Sequence, residues 1–419
     1  MQGIPIRHVL GASLRSALTM VLRGAGPILL LMLVFMLFMG GQDTGTAPGT
    51  SFYVGPTGDD SNPGTLSQPF RTVQRGVNAA GPGDTIIVRD GTYRGGCSSI
   101  NSFAVSINKA GAANAWITLK AENQWRATLD AENACHSFIN LGGSAAYWII
   151  QDFRVVNGFS GGIWSNAGAS YITLRGNEIA YIGRHYLSST VGVCGSYANA
   201  SSDHLTFEGN VIHDIGRTGG PQTFHDHGLY LHSQATIVVN NVFYQPIAGW
   251  GIQTASGFSG LIANNTFHGA HAGREGQIML WDSNGSVAIR NNIFYAARNR
   301  AITVSNFRPA SCVVDHNLVF PAGVSLGAPP GCSTGNNLLG ADPFLNNPAR
   351  MPYGFSLNPG SSAIDAGAEV PEASTDLVGV RRPQGHAYDI GAYEFATEPQ
   401  APPPLIRTPH DRGNPGTEK

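Results

Sequence analysis

Charged side chains are scarce in this chain. Only 12% of its 419 residues are Asp, Glu, Lys or Arg, about half the share of an average globular protein. Lysine occurs only at Lys109, Lys120 and Lys419. A positively charged group at a functional site is therefore expected to be an arginine or a histidine. This composition excludes a coiled coil or an ordinary helical bundle. The formal net charge of −2 gives no electrostatic reason to bind nucleic acid.

Glycine and apolar residues are plentiful instead. The chain holds 54 glycines, and 42% of its residues are hydrophobic. That apolar content is enough to bury a core, which excludes wholesale disorder. The length would allow two or three domains, but an elongated repeat could use most of it as one.

The amino terminus carries a long uncharged run. Residues 24–41 contain no charge, and Arg7, Arg15 and Arg23 precede them. A basic stretch followed by an apolar one is typical of an export signal, and the run approaches the length of a spanning helix. We therefore predict a signal peptide or an N-terminal membrane anchor at 1–45, with the rest secreted or held at the cell surface.

Five cysteines in an exported chain predict disulfides with one cysteine left over. Cys312 and Cys332 are close in sequence across a loop rich in proline and glycine, and they are the preferred pair. Cys97 with Cys135 is the second predicted pair. Cys194 would then be a small packing residue.

A short apolar unit recurs around a central asparagine. The asparagines are Asn177, Asn210, Asn241, Asn265, Asn292 and Asn317, at spacings from 24 to 33 residues. Units of this size with short β-rich segments predict a solenoid of strands. The asparagines are expected to form a ladder at a tight turn in the left-handed conformation. Two residues after each lies a predicted interior stack of Ile179, Ile212, Phe243, Phe267, Phe294 and Val319.

A second strand follows each unit. Alternation along it predicts two rows of side chains. The inward row is Ile163, Val193, Leu229, Ile252 and Ile302. The outward row is Trp164, Cys194, Tyr230, Gln253 and Thr303.

These repeats resemble the right-handed parallel β-helix superfamily that includes pectate lyases. Residues 52–93 look like the opening segment of its bacterial secreted members, with a short capping helix near 72–80. The stretch 361–395, with AIDAGA and YDIGAYEF, is similar to the choice-of-anchor Q domain. The resemblance implies an all-β fold, and it identifies fold more specifically than activity.

The predicted organisation has four parts. They are a signal peptide or anchor at 1–45, a right-handed parallel β-helix at 51–340, a choice-of-anchor Q-like module at 341–395, and a disordered Pro-rich tail at 396–419.

Two coils carry insertions between the asparagine unit and the next outward strand, and functional residues favour such loops. Four of the thirteen histidines fall within 213–233. The predicted catalytic residues are Arg217, His225, Asp226, His227 and Tyr230. The predicted substrate-binding residues are Arg184, His185, His232, Trp250, Gln253, Arg274, Glu275 and Trp281. Aromatic and hydrogen-bonding side chains along a groove suit an extended polysaccharide.

Several functions remain open for this patch. A lyase or epimerase acting on a uronic acid polymer would use Arg217 to neutralise the carboxylate, His225 or His227 as base and Tyr230 as proton donor. A glycoside hydrolase would need a pair of carboxylates such as Asp214 and Asp226. A non-catalytic carbohydrate-binding or cell-surface protein is the further alternative.

Metal binding is weakly indicated. His225 and His227 are alternate residues that would face the same way on a strand, but two ligands define no site, so no metal ligand is assigned and the cofactor is unknown. The pectate lyases that the chain resembles use a Lys or Arg base and often calcium. Neither internal lysine falls in the patch, and no cluster of three or four carboxylates accompanies it.

Overall fold

The computed structural model describes residues 49–185, 192–217, 225–269, 274, 276–349 and 353–396. The apolar N-terminal run, Glu275 and the tail from residue 397 lie outside these ranges, so the predictions made for them stay predictions. In the described part of the chain, no helix is long and apolar enough to cross a membrane.

A single described α-helix, α1 (Val73–Ala79), lies next to the first strands. The Thr72 hydroxyl begins it by accepting the backbone N–H of Arg75 at 3.2 Å, which satisfies one free N–H group of the first turn. The helix buries Val73 and Val77 against the end of the solenoid. The short capping helix predicted at 72–80 is confirmed.

The described strands form three parallel sheets that run along the molecule. Sheet A contains β1 (Ser51–Val54), β2 (Thr85–Val88), β5 (Ile117–Ala121), β8 (Ala146–Gln151), β11 (Ser170–Arg175), β14 (Asp203–Glu208), β17 (Thr236–Val239), β20 (Gly260–Ala263), β23 (Val287–Arg290), β26 (Cys312–Asp315) and β28 (Ser333–Gly335). Sheet B contains β3 (Gly91–Arg94), β6 (Ala127–Asp130), β9 (Arg154–Val156), β12 (Glu178–Ile182), β15 (Val211–Ile215), β18 (Val242–Ile247), β21 (Thr266–His268), β24 (Ile293–Tyr295), β27 (Leu318–Phe320) and β29 (Leu338–Leu339).

Sheet C completes each coil. It contains β4 (Phe103–Ile107), β7 (Ser137–Leu141), β10 (Gly161–Ser165), β13 (Cys194–Ala198), β16 (His227–Leu231), β19 (Ile252–Thr254), β22 (Ile278–Trp281) and β25 (Ile302–Ser305). Away from the two ends of the solenoid, neighbours within a sheet are three strands apart in sequence, as β8, β11 and β14 are. The chain therefore winds as a parallel β-helix, as predicted.

The predicted interior stack is confirmed. Its six side chains pair in register along sheet B and are all buried. Phe243 and Phe267 stack at 4.7 Å, and Phe267 and Phe294 at 5.2 Å. Each coil thus covers the apolar face of the next, and this burial stabilises the solenoid.

A ladder of buried asparagines joins the coils where sheet A turns into sheet B. Each Nδ2 donates to the next Oδ1 at 2.9–3.1 Å. Asn337 extends the predicted set by one member. The predicted left-handed conformation is one residue off: it lies at the preceding Gly176, Gly209, Asn240, Asn264, Asn291 and His316. Since that residue makes the turn, the ladder side chain is left pointing to the interior.

The predicted rows on sheet C are correct except in one coil. Register aligns Tyr197 with Trp164 and Tyr230, and Ser196 with Ile163 and Leu229. The prediction placed Val193 and Cys194 in the two rows, but Ser196 and Tyr197, three residues later, occupy those positions. In this coil the glycine that begins the strand pattern is Gly195. A Cβ added there would lie 2.6 Å from the backbone oxygen of Gly228 in the next coil.

The cysteine predictions are confirmed. Cys97 bonds to Cys135, and Cys312 bonds to Cys332. Cys194 is free and buried, and burial raises the pKa of its thiol. A buried neutral thiol of this kind is unreactive.

The described part of the C-terminal segment, residues 341–349 and 353–396, folds back along the outside of the coils. It holds two short 3₁₀ helices, Tyr353–Phe355 and Pro371–Ala373. Phe355 and Ile390 pack in one buried cluster with outward residues of sheet B such as Ile293.

Polar contacts fix this segment to the turns. The first asparagines of three Asn-Asn pairs donate to its backbone: Asn240 to Thr375 at 2.8 Å, Asn264 to Asp389 at 3.0 Å and Asn291 to Ala368 at 2.7 Å. Within the segment, buried Arg382 donates to Glu394 at 2.8 Å. The doubled asparagine therefore serves both the ladder and the docking of the C-terminal segment.

Candidate functional site

Arg217 and Asp226 form a buried ion pair at the second insertion. The Asp226 carboxylate is fully buried and accepts Arg217 Nε at 2.9 Å and Nη2 at 2.6 Å. It also accepts the backbone N–H groups of Arg217 at 2.9 Å and of Val193 at 3.0 Å. Because Val193 follows the first insertion, one carboxylate ties the ends of both insertions together.

His227 follows this carboxylate and begins β16. Its side chain is buried, and Nδ1 accepts the backbone N–H of Trp250 at 3.1 Å. Burial, and then the positive charge of Arg274, holds the pKa of His227 well below its usual range. The ring is therefore neutral, with its proton on Nε2.

Arg274 and His225 lie on the exposed side of the same cluster. The Arg274 guanidinium sits 5.1 Å from the Trp250 ring centre, a cation–π distance. Partial burial, and then the charge of Arg274, lowers the pKa of the exposed His225. Burial lowers the pKa of Arg274 itself, but a guanidinium keeps its proton in proteins. One cation thus faces two neutral imidazoles.

Tyr230 borders this cluster on sheet C. Its ring centre is 5.6 Å from His227 and 4.6 Å from His232. Burial, and then the neighbouring Tyr197, raises the pKa of its hydroxyl. Tyr230 therefore holds its proton through neutral pH, and Gln253 is its register partner on the next strand.

A second polar cluster lies on sheet B. His213 Nδ1 contacts Asp214 at 2.7 Å and Nε2 contacts Glu178 at 3.1 Å. Burial lowers the pKa of His213, but the hydrogen bonds to the two carboxylates outweigh it and raise the pKa overall. Arg184 binds the other side of Asp214. Arg154 lies 3.1 Å from Glu178, so the charges of this cluster compensate one another.

The structure thus gathers part of the predicted site. His225, His227, Tyr230, Trp250 and Arg274 lie together, and His232 and Gln253 adjoin them. Three of the remaining predicted residues form ion pairs within the protein: Arg217 with Asp226, and Arg184 with Asp214. His185 is exposed on the first insertion, and Trp281 is exposed at the end of β22. Glu275 lies outside the described residues.

Aromatic side chains that the sequence prediction missed extend this surface. A chain of ring contacts, the aromatic strip, consists of Phe103, His136, Trp164, Tyr197, Tyr230 and His232. Phe103, His136 and Tyr197 were not predicted. Aligning the coils on glycine would have found Tyr197, because GIW, GSY and GLY recur in three successive coils.

A metal centre finds little support in the described ranges. There, no three His, Cys, Asp or Glu side chains group closely enough to hold a metal ion. The calcium that the β-helix resemblance implies would need several carboxylates, but the nearby ones, Asp214 on β15 and Asp226 in the second insertion, are already bound by arginines. The residues do not fit that ion.

Two family descriptions match the chain. Residues 52–212 match "Pel9A-like, right handed beta helix region", and residues 194–339 match "Right handed beta helix region". Both descriptions specify a right-handed winding, which applies to the parallel coils formed by sheets A, B and C. The chain is a right-handed parallel β-helix.

Curated relatives share parts of this right-handed β-helix. Pectate lyase PEL9 of Emericella nidulans is 29% identical over 141 residues, which cover 30% of this chain and 33% of that protein. An uncharacterized protein of Bacillus subtilis, YwoF, is 44% identical over 45 residues, 11% of this chain and 10% of that one. The matches span a third or less of either relative's length.

Solved structures resemble the β-helix more loosely. An alginate lyase from a Paenibacillus species has a TM-score of 0.46 at 17% identity, covering 62% of this chain and 96% of that one. Pectate lyase Pel9A has a TM-score of 0.47 at 17% identity, covering 84% and 98%.

Proposed function

We propose that the protein acts on a polysaccharide containing uronic acid units, as a lyase or an epimerase. The observation that carries the proposal is the cluster of His225, His227, Tyr230 and Arg274, in which one cation faces two neutral imidazoles and a protonated phenol. The partial identity with a pectate lyase supports a polysaccharide as substrate.

Both reactions begin with removal of the proton next to a carboxylate. A positive group must offset the negative charge that develops there. Arg217 was predicted for this role, but its guanidinium is held by Asp226. Arg274 replaces it in the proposal, because it is half-buried and its charge reaches both histidines.

The proposed base and proton donor are assigned from the protonation states of the side chains. His225 is exposed and neutral at pH 7, so it is the proposed base. In elimination, the C5–H electron pair forms the C4=C5 double bond as the C4–O bond breaks, and Tyr230 gives its proton to the leaving oxygen. In epimerisation, Tyr230 gives its proton to the opposite face of C5 instead, and no C–O bond breaks. His227, anchored by the backbone N–H of Trp250, contacts the Tyr230 ring and is the proposed positioning residue for the phenol.

A hydrolase is less well supported. Asp226 is the acid of the second insertion, and Asp214 lies near the end of β15 just before it. Arginine binds each of them, whereas a glycosidase needs an acid that can give up a proton and a second that can act as base or nucleophile. A non-catalytic carbohydrate-binding protein remains the second candidate, because the aromatic strip would serve binding without chemistry.

The proposal includes export. Disulfides form and persist in oxidising compartments, and two are present. Residues 1–45 would provide a signal peptide or membrane anchor, and 341–395 a choice-of-anchor Q-like module.

The test uses the full-length protein with a panel of uronic-acid polysaccharides. Unsaturated products are followed by ultraviolet absorbance, and epimerisation by deuterium uptake at C5. Tyr230→Phe and Arg274→Gln should each lower kcat at least about 100-fold. Arg175→Gln, which removes a cation paired with Glu208 on sheet A, should leave turnover unchanged. Undiminished turnover in both site variants would refute the assignment, and sugar binding without any turnover would favour the binding protein.

A further inference from the structure

The rings of the aromatic strip are inclined to one another. His136 meets Trp164 at 87°, Tyr230 meets Tyr197 at 60°, and Phe103 meets His136 at 59°. Only Trp164 and Tyr197 stack, at 23°. Two rings inclined this far cannot both face along the solenoid axis, so at least one of each such pair turns its face off the axis.

Most aromatic pairs on the other two sheets stack instead, although Tyr181 meets His213 at 80° on sheet B and Trp116 meets Tyr147 at 77° beside sheet A. On sheet A, Tyr171 stacks on Tyr147 at 11° and on His204 at 15°. On sheet B, Tyr244 stacks on His213 at 11°, and His268 and Tyr295 meet at 14°. Rings that stack this way cover one another's faces and stabilise neighbouring coils. Inclined pairs thus predominate on sheet C, whereas stacked pairs predominate on sheets A and B.

Sheet C also differs from its neighbours in charge. None of its eight strands contains Asp, Glu, Lys or Arg. Strands of the other sheets carry both signs, as Arg175 and Glu208 do on sheet A and Arg154 and Glu178 on sheet B. Arg274 lies over the ring of Trp250, a residue just before β19, which is the strand next to β16 at one end of the strip.

We infer that the aromatic strip binds a run of neutral sugar units, so that the substrate is a mixed polysaccharide. A single uronic acid unit would lie at Arg274, and neutral units would extend from it across β16, β13, β10, β7 and β4. These five strands span four spacings, about 19 Å. This inference rests on the proposed function and names its substrate class.

The physical reason is the cost of burying unpaired carboxylates. A polymer of uronic acid units alone would bring one carboxylate per unit onto strands that carry no cation, and each would lose hydration without a partner. Neutral sugar rings lose little by the same contact, and their apolar faces pack against aromatic faces. The strip extends from Tyr230 in one direction only. In the opposite direction, the same register position is occupied by the non-aromatic residues Gln253, Met279 and Thr303.

Binding of the full-length protein to three classes of polymer tests the inference: a neutral polysaccharide, a polymer that mixes neutral and uronic units, and a homopolyuronate. The mixed polymer should bind most tightly. Trp164→Ala and Tyr197→Ala should each weaken that binding about tenfold, while Trp164→Phe should retain it. Tyr171→Ala, which removes a ring from the stacked row of sheet A, is the matched control and should bind normally.

Salt provides a second readout. The contribution of the strip to affinity is the ratio of the Kd of Trp164→Ala to the Kd of the parent protein. Because the strip is uncharged, raising NaCl tenfold should change this ratio less than about twofold. Preference for the homopolyuronate, or equal binding by Trp164→Ala in protein whose thermal unfolding matches that of the parent, would overturn the inference.

The two proposals fail in different ways. Binding of the mixed polymer that depends on Trp164, with no turnover of any polymer, would uphold the strip and refute the chemistry. Cleavage of a homopolyuronate alone, undiminished by Trp164→Ala, would uphold the chemistry and refute the strip.

Discussion

Removing the Asp226 carboxylate should destabilise the protein severely. In Asp226→Ala, Arg217 would keep a buried charge without its partner, and the backbone N–H groups of Val193 and Arg217 would lose their acceptor. Breaking a buried ion pair from one side costs about 3–5 kcal/mol. Each abandoned N–H group adds about 1–3 kcal/mol unless water reaches it. The free energy of unfolding should therefore fall by at least about 3 kcal/mol.

Urea unfolding followed by circular dichroism and by tryptophan fluorescence would measure this loss. Agreement of the two transitions is needed, because coils can unfold separately. Asp203→Ala is the matched control: it breaks an exposed contact with His204 and should cost less than about 1 kcal/mol. Replacing both partners, Arg217→Met with Asp226→Leu, should recover part of the loss, since no charge is stranded. Equal stability of Asp226→Ala and Asp203→Ala would show that the pair does not hold the insertions.

Two further predictions concern the site and the ladder. If His225 is the base and Tyr230 the acid, the rate should fall only below about pH 6.5, as the imidazole gains a proton, and above about pH 10, as the phenol loses one, because their pKa values move away from neutrality. A rate that changes between those limits would contradict these roles. Asn265→Ala should cost at least about 3 kcal/mol in urea unfolding, since this amide makes five hydrogen bonds. The same change at the half-buried Asn337, at the end of the ladder, should cost clearly less, and equal losses would show that the ladder does not act as a continuous buried network.

Part of the site was open to prediction because strands alternate. Once the repeat fixed the register, Trp164, Tyr230 and Gln253 followed from their offsets, and the structure places them in one outward row. The coil holding Tyr197 was misread, because its insertion hides where the strand begins. Arg217 was assigned to substrate, since a sequence does not show which arginine already has a buried partner.

The sequence by itself determined the coils, the asparagine ladder, the interior stack and the disulfide pairs, because all of these repeat at fixed offsets or lie close along the chain. Only the tertiary structure decided that Arg217 pairs with Asp226 while Arg274 faces the histidines, and that most ring pairs of sheet C are inclined while most of those of sheets A and B stack. These features depend on contacts between coils and on the space left around each ring. Such contacts follow from packing in three dimensions, which no periodic pattern encodes.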